Sequence, residues 1–290
     1  MKILKYFLLA LLAITLPAHA SITQQLTQLE NSYAGHIGLS AINTANNERI
    51  QYRANESFPM CSTAKMLSVA TVLQQSNKNT NLLKQKIIYK KSDLVDWSPV
   101  TEKHIADGMT VGELCAAAIS LSDNTAINLL INKVGGFDPI NAYVHSLGDN
   151  TSRVDRFEPA VSVTVPGDVR DTSTPASMEN NLQKLALGNG LRPAQRQQLI
   201  TWLKETVTGN ARIPAGIPKG WVVGHKTGTG SNYGTTNDIA VIWPPKCSPI
   251  VVAIYYQGMK ATEVKREAAL ATATRLIIKE FARNDQCLKV

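Results

Sequence analysis

Two strand patterns lie near the front of this chain, three lie near its back, and nearly everything between them has helical spacing. Residues 36–42 and 48–53 read as two strands joined by the polar turn 43–47, and residues 221–226, 237–243 and 250–257 as three more short apolar or alternating strands. Between the two groups, apolar residues recur at helical intervals over 63–75, 110–120, 124–134, 139–147, 177–187 and 193–206. Further helices are expected over 22–33 and 263–282. This distribution implies one sheet completed by both ends of the chain and interrupted by a helical block. The expected fold is α/β of the α+β kind: a five-stranded sheet flanked by helices, built from 21–58 and 205–290, with an inserted all-helical domain over 59–204. Two such parts leave a cleft where they meet, a common place for ligands.

The chain opens with Met1-Lys2-Ile3-Leu4-Lys5, continues through an apolar stretch from Phe7 to Leu16 and reaches Ala18-His19-Ala20. A basic start, a short apolar core and an A-x-A end make a secretory leader, too short for the roughly 20 apolar residues of a membrane span. Removal of residues 1–20 is expected, leaving a soluble exported chain that works in the periplasm. What remains is ample for a substantial core. The formal net charge is +8, and two of those charges leave with the leader. Basic residues are scattered, with no dense run beyond Lys90-Lys91 and no interleaved aromatics, which argues against a nucleic-acid partner. The four cysteines match no zinc spacing and the five histidines are isolated from them, so no metal or other cofactor is expected. Nothing in the chain points to an oligomer. In an oxidising compartment the cysteines allow up to two disulfides. Cys247, in the turn 244–249, and Cys287, after a last helix that should return antiparallel to the preceding strand, form a candidate pair that distance decides.

Chemistry-bearing residues fall in four places. Ser62 and Lys65 stand three apart in Cys61-Ser62-Thr63-Ala64-Lys65-Met66-Leu67, so on a helix they share a face and the Lys65 ammonium can reach the Ser62 hydroxyl. Met66, Val69, Ala70 and Leu73 would anchor that helix, and its positive end favours alkoxide and oxyanion character. Ser122-Asp123-Asn124 lies between two expected helices, where its composition also suits a plain N-cap. Lys226-Thr227-Gly228-Thr229-Gly230 follows an apolar strand; such an edge lets a substrate lie along the backbone while lysine and threonine hold an anionic group, although a solvated turn has the same composition. Arg156-Phe157-Glu158-Pro159-Ala160-Val161-Ser162 opens a long aperiodic stretch ending near Pro175, and a pair between Arg156 and Asp171 would close 156–171 into an Ω-loop.

Taken in order, S-x-x-K, S-D-N, a loop E-P and K-T-G resemble the class A serine β-lactamases over essentially the whole chain after the leader. The resemblance implies an antiparallel sheet of the β-lactamase/DD-peptidase type and small-molecule β-lactams as substrates. It implies that Ser62 attacks the lactam carbonyl within an oxyanion hole formed by the backbone N–H groups of Ser62 and Thr229. Lys65 and Glu158 share the proton work of acylation, either being the base, and Ser122, tuned by Lys226, returns a proton to the lactam nitrogen. Asn124 would hold the substrate amide, and Lys226, Thr227 and Thr229 its carboxylate. Glu158, before a cis bond to Pro159, would activate the deacylating water. A penicillin-binding DD-peptidase shares the other three motifs without that glutamate, and a non-hydrolytic β-lactam sensor or peptidoglycan-binding protein would bind or acylate without turnover.

Departures from the family pattern add detail. Ser162 stands where the family usually has Asn, Trp97 matches an aromatic gate of the cleft, and Arg212 with Thr229 matches a carboxylate-binding pair. In the family these features accompany carbapenem hydrolysis. Such members usually bridge the position of Cys61 to one that here is Gly230, and the common pairing of the position of Cys115 meets Val69. The resemblance therefore implies that Cys61 and Cys115 are buried free thiols.

Overall fold

The computed structural model describes residues 20–289; the expected leader lies, apart from Ala20, outside them. In chain order the helices are α1 (Ile22–Ser32), α2 (Ala64–Ser76), α3 (Val111–Ser120), α4 (Asn124–Val134), α5 (Phe137–Ser146), α6 (Pro175–Ala186), α7 (Pro193–Lys204) and α8 (Glu263–Asn284). The strands are β1 (His36–Asn43), β2 (Glu48–Tyr52), β3 (Phe58–Pro59), β4 (Lys86–Ile87), β5 (Met109–Thr110), β6 (Thr172–Ser173), β7 (Val222–Thr229), β8 (Thr236–Trp243) and β9 (Ile250–Gln257). The long strands form one antiparallel sheet in the order β2-β1-β9-β8-β7, so the chain's two ends meet at the β1–β9 ladder.

The two-residue period of β9 explains the layering. Val251, Ala253 and Tyr255 join a core with α2 to α7, while Ile250, Val252, Ile254 and Tyr256 face a second core with α1 and α8. Every residue from Ile250 to Tyr256 is buried, as a central strand covered on both faces requires. Helix α2 is buried nearly all round, its polar Lys65, Ser68 and Thr71 included, because other helices enclose it.

The block 59–204 is not purely helical. Lys86–Ile87 pairs with Met109–Thr110, and Phe58–Pro59 pairs with Thr172–Ser173, tying the start of the block to the end of its long loop. Two-residue ladders are too short to show alternation, which is why spacing alone misses them. Strand β7 also runs further than expected, so the K-T-G triplet lies within it. Cys247 and Cys287 are joined, with Cα atoms 5.9 Å apart, whereas Cys61 and Cys115 are free and buried. Among the described residues no helix is long and apolar enough to cross a membrane, and no acidic, histidine and cysteine cluster could hold a metal.

Candidate active site

Ser62 does not begin α2. It sits on a 3-10 turn, Cys61–Thr63, entered through Cys61 at φ 47°, and the helix starts at Ala64. Two neighbours press that turn onto the sheet. Asn237 of β8 donates from Nδ2 to Pro59 O at 2.8 Å and Met60 O at 3.2 Å. Gly228 of β7 passes so close that a Cβ there would lie 2.6 Å from Met60 O, an approach that only glycine permits.

Lys65 and Ser62 meet through a third residue. Ser62 Oγ donates to Glu158 Oε1 at 2.9 Å, and Lys65 Nζ lies 3.1 Å from the same oxygen. No Lys65–Ser62 hydrogen bond occurs among those described, in contrast to the direct reach expected from i,i+3 spacing; the intervening carboxylate takes both donors. Lys65 Nζ also donates to Ser122 O at 2.7 Å and Asn124 Oδ1 at 2.5 Å. A carbonyl, an amide oxygen and a carboxylate are all acceptors, so the three call for an ammonium's three N–H bonds. Burial lowers the Lys65 pKa, against the opposing charge of Glu158.

Glu158 is carried by the loop 156–171. Its bond to Pro159 is cis, and Asn128 of α4 clamps its backbone on both sides: Asn128 Nδ2 donates to Glu158 O and Glu158 N donates to Asn128 Oδ1, each at 2.9 Å. Arg156 Nε donates to Asp171 Oδ2 at 2.5 Å, closing the loop. Ser162 Oγ donates to Glu158 Oε2 at 3.1 Å.

Within S-D-N the N-cap falls to the middle residue, and the serine before it faces the lysines. Asp123 is the N-cap of α4, accepting from Ala126 N at 2.8 Å, and its carboxylate also binds the backbone N–H groups of Val100 and Thr101. Ser122 Oγ accepts from Lys226 at 2.9 Å and, at 3.1 Å, shares the Lys65 N–H that also serves Ser122 O. With two ammonium donors on its oxygen, the Ser122 proton is left to point elsewhere. Lys226 is fully buried, and that burial, with the charge of Lys65 added, pushes its pKa well below the ordinary lysine value.

A cleft of about 520 Å³ opens onto this cluster and is lined by Ser62, Ser122, Asn124, Ser162, Arg212, Thr227 and Thr229, with Trp97 at its mouth. Lys65, Glu158 and Lys226 lie behind its wall. A larger groove of about 720 Å³ between α2, α4 and α5 holds none of these residues. Trp97 is largely exposed and held by Nε1 donating to Leu121 O at 3.1 Å. Asn124 Nδ2 donates to Asp96 O at 2.7 Å, so that carboxamide is fixed at both ends. Arg212 is buried and donates to Glu267, to Gly228 O and Asn237 O, and to Thr229 Oγ1. Asn128, Asn237 and Glu267 escape a reading by motif. Asn128, one helical turn after Asn124, is the one that helical spacing could have flagged.

A serine hydroxyl hydrogen-bonded to a buried carboxylate, and a second hydroxyl held by two buried lysines, both lining one cleft, have the geometry of a serine acyl-transfer enzyme. The family model described as "Beta-lactamase enzyme family" matches residues 21–281. The chain is 50% identical over 268 residues to β-lactamase Toho-1 of Escherichia coli, covering 92% of each chain. It is 48% identical to β-lactamase OXY-2 of Klebsiella oxytoca, over 89% of this chain and 88% of that one. A solved ancestral class A β-lactamase superposes with a TM-score of 0.88 at 50% identity, over 90% of this chain and all (100%) of that one. The chain belongs to the β-lactamase enzyme family, as a class A member that hydrolyses β-lactams.

Proposed function

We propose that the enzyme opens penicillins, cephalosporins and carbapenems through an acyl-enzyme on Ser62, and that it does so in the periplasm after its leader is removed. The observation that carries this reading is the Glu158 carboxylate, bonded to Ser62 on one oxygen and to Ser162 on the other. Ser62 Oγ bonds to the lactam carbonyl carbon as its proton passes to Glu158. This choice of base is supported by the 2.9 Å contact and by the ammonium-like surroundings of Lys65. The tetrahedral intermediate collapses, the C–N bond breaks, and the nitrogen takes the Ser122 proton, which Lys65 or Lys226 can replace. Glu158 passes the Ser62 proton across the 3.1 Å contact to Lys65, which has made good the proton lost by Ser122, and is again a carboxylate. Water then attacks the ester carbonyl as its proton goes to Glu158, and when the intermediate collapses Glu158 returns that proton to the departing Ser62 Oγ.

A chromogenic cephalosporin separates hydrolysis from mere acylation. Wild type should turn over, whereas Glu158→Ala should lose about 10²–10⁴ in rate, the usual worth of a general base, and accumulate a mass adduct on Ser62, because Lys65, without the carboxylate that holds its proton, can still accept from Ser62 while no second base serves the deacylating water. A stable adduct in both would instead indicate a sensor or transpeptidase. The carbapenem reading rests on Ser162, whose short side chain leaves room beside Glu158. Ser162→Asn should slow imipenem turnover more than penicillin turnover, and equal effects would remove that substrate class.

A further inference from the structure

Arg212 faces the cleft with its charge already answered. Its Nε donates to Glu267 Oε1 at 3.0 Å, Nη1 to Gly228 O at 3.1 Å and Asn237 O at 2.9 Å, and Nη2 to Thr229 Oγ1 at 2.8 Å. Four of the five guanidinium N–H bonds are thus committed within the protein, so the planar fork that would clamp a carboxylate is closed to a ligand. Glu267 is the ion-pair partner of Arg212 among the described residues, and it lines the same cleft. Glu263, one turn earlier on α8, lines that end as well.

We propose that Glu267 is a specificity-determining residue that attenuates the pull of Arg212 on the substrate's carboxylate. This rests on the reading of Arg212, Thr227 and Thr229 as the carboxylate-binding wall. A buried guanidinium without a counter-ion would draw that partner from the substrate. Glu267 supplies the counter-charge permanently, so Arg212 acts on the ligand chiefly through Thr229, whose oxygen it occupies and whose proton it leaves to face the cleft. The chemistry of the product gives this arrangement a use. Ring opening turns the lactam carbonyl into a second carboxylate, so an uncompensated cation would hold the product more tightly than the substrate and slow its release.

Glu267→Gln keeps an acceptor for Arg212 Nε and removes the charge. KM for a penicillin and the inhibition constant of its own hydrolysis product should both fall, by about threefold to tenfold, the effect of one partly screened unit charge. The methyl ester of the same penicillin, read as a competitor of chromogenic-cephalosporin hydrolysis, should change by less than about twofold, since it lacks the charge on which the effect depends. Glu267→Asp should restore wild-type values, and Glu267→Ser, a second neutral variant, should move as Gln does. Unchanged or raised constants for acid and product, or an ester that shifts with them, would overturn the proposal. The carboxylate wall is judged separately, in wild type: if acid and ester bind equally well there, that reading is what fails.

Discussion

Ser122 Oγ lies between two buried ammonium groups, and they are not equivalent. Lys65 has the Glu158 carboxylate 3.1 Å away to hold its proton, whereas Lys226 faces burial and the positive charge of Lys65. Lys226 is therefore the first to deprotonate as pH rises, well below 10.5. In the proposed reading its charge supports the wall that faces an anionic substrate, so kcat/KM should fall on the alkaline side as that proton is lost. Lys226→Arg cannot deprotonate. It should move the alkaline limb up by about one pH unit or more, with some loss of kcat from its larger head group; an unmoved limb would assign the limb to another group. A different buried charge sets stability. Glu179 of α6 is fully buried, with Oε2 bonded to Ser40 and Arg49 and Oε1 without a described partner. Burial raises its pKa above 4.5, so its favourable contribution is present below 4.5 and lost as pH rises through the folded value. Glu179→Gln should be more stable than wild type at pH 7, by about 1 kcal/mol in urea unfolding, with the gain gone at pH 4. A gain that persists in acid would place its cause elsewhere.

At the scale of elements, the site depends on how the 3-10 turn of Ser62 lies against β7. A Cβ built at Gly230 comes 3.2 Å from Cys61 Sγ, 2.9 Å from Thr235 Cβ and 3.0 Å from Thr164 Cγ2. Gly230→Cys should therefore bridge to Cys61 and leave Cys115 as the one thiol that alkylates under denaturing, non-reducing conditions. Crowding against Thr164 and Thr235 should hold the stability gain to about 1 kcal/mol, below the 2–4 typical of disulfides. Three alkylated thiols would mean that the turn and strand sit further apart than drawn. The same contact marks the limit of what the sequence discloses. Helices such as α4 and strands such as β9 are legible because their periods extend over many residues. The turn beneath Ser62, the Asn237 bonds to Pro59 and Met60, and the insertion of Glu158 between Ser62 and Lys65 depend on segments roughly a hundred or more residues apart, which no local period records. Candidate catalytic residues are legible as types in order, and helical spacing from Asn124 points to Asn128; Asn237 and Glu267 are not legible, since each acts through a contact that only tertiary folding creates.

Across the whole molecule, the sheet separates the chemistry from the covalent staple. Register places Thr229 opposite Thr236 at the cleft end of the β7–β8 ladder and Val222 opposite Trp243 at the other end. The turn carrying Cys247 follows Trp243, so it projects from the end remote from Ser62. Helix α8 spans the same distance: Glu263 and Glu267 line the cleft, and its 22 residues extend about 33 Å toward the segment bearing Cys287. The disulfide thus closes a 40-residue separation around β9 and α8, the elements that form the core with α1 and join the chain's two ends. Removing it releases entropy to the unfolded chain without touching the cleft. Cys247→Ser with Cys287→Ser should lower unfolding free energy by about 2–4 kcal/mol. At 25 °C, kcat/KM for a penicillin should stay within about twofold of wild type, because the staple and the reacting groups sit at opposite ends of one rigid sheet. A parallel loss of activity in fully folded protein would show that α8 transmits the position of its far end to Glu267 and Arg212, and the sheet would then not be the insulator that its register implies.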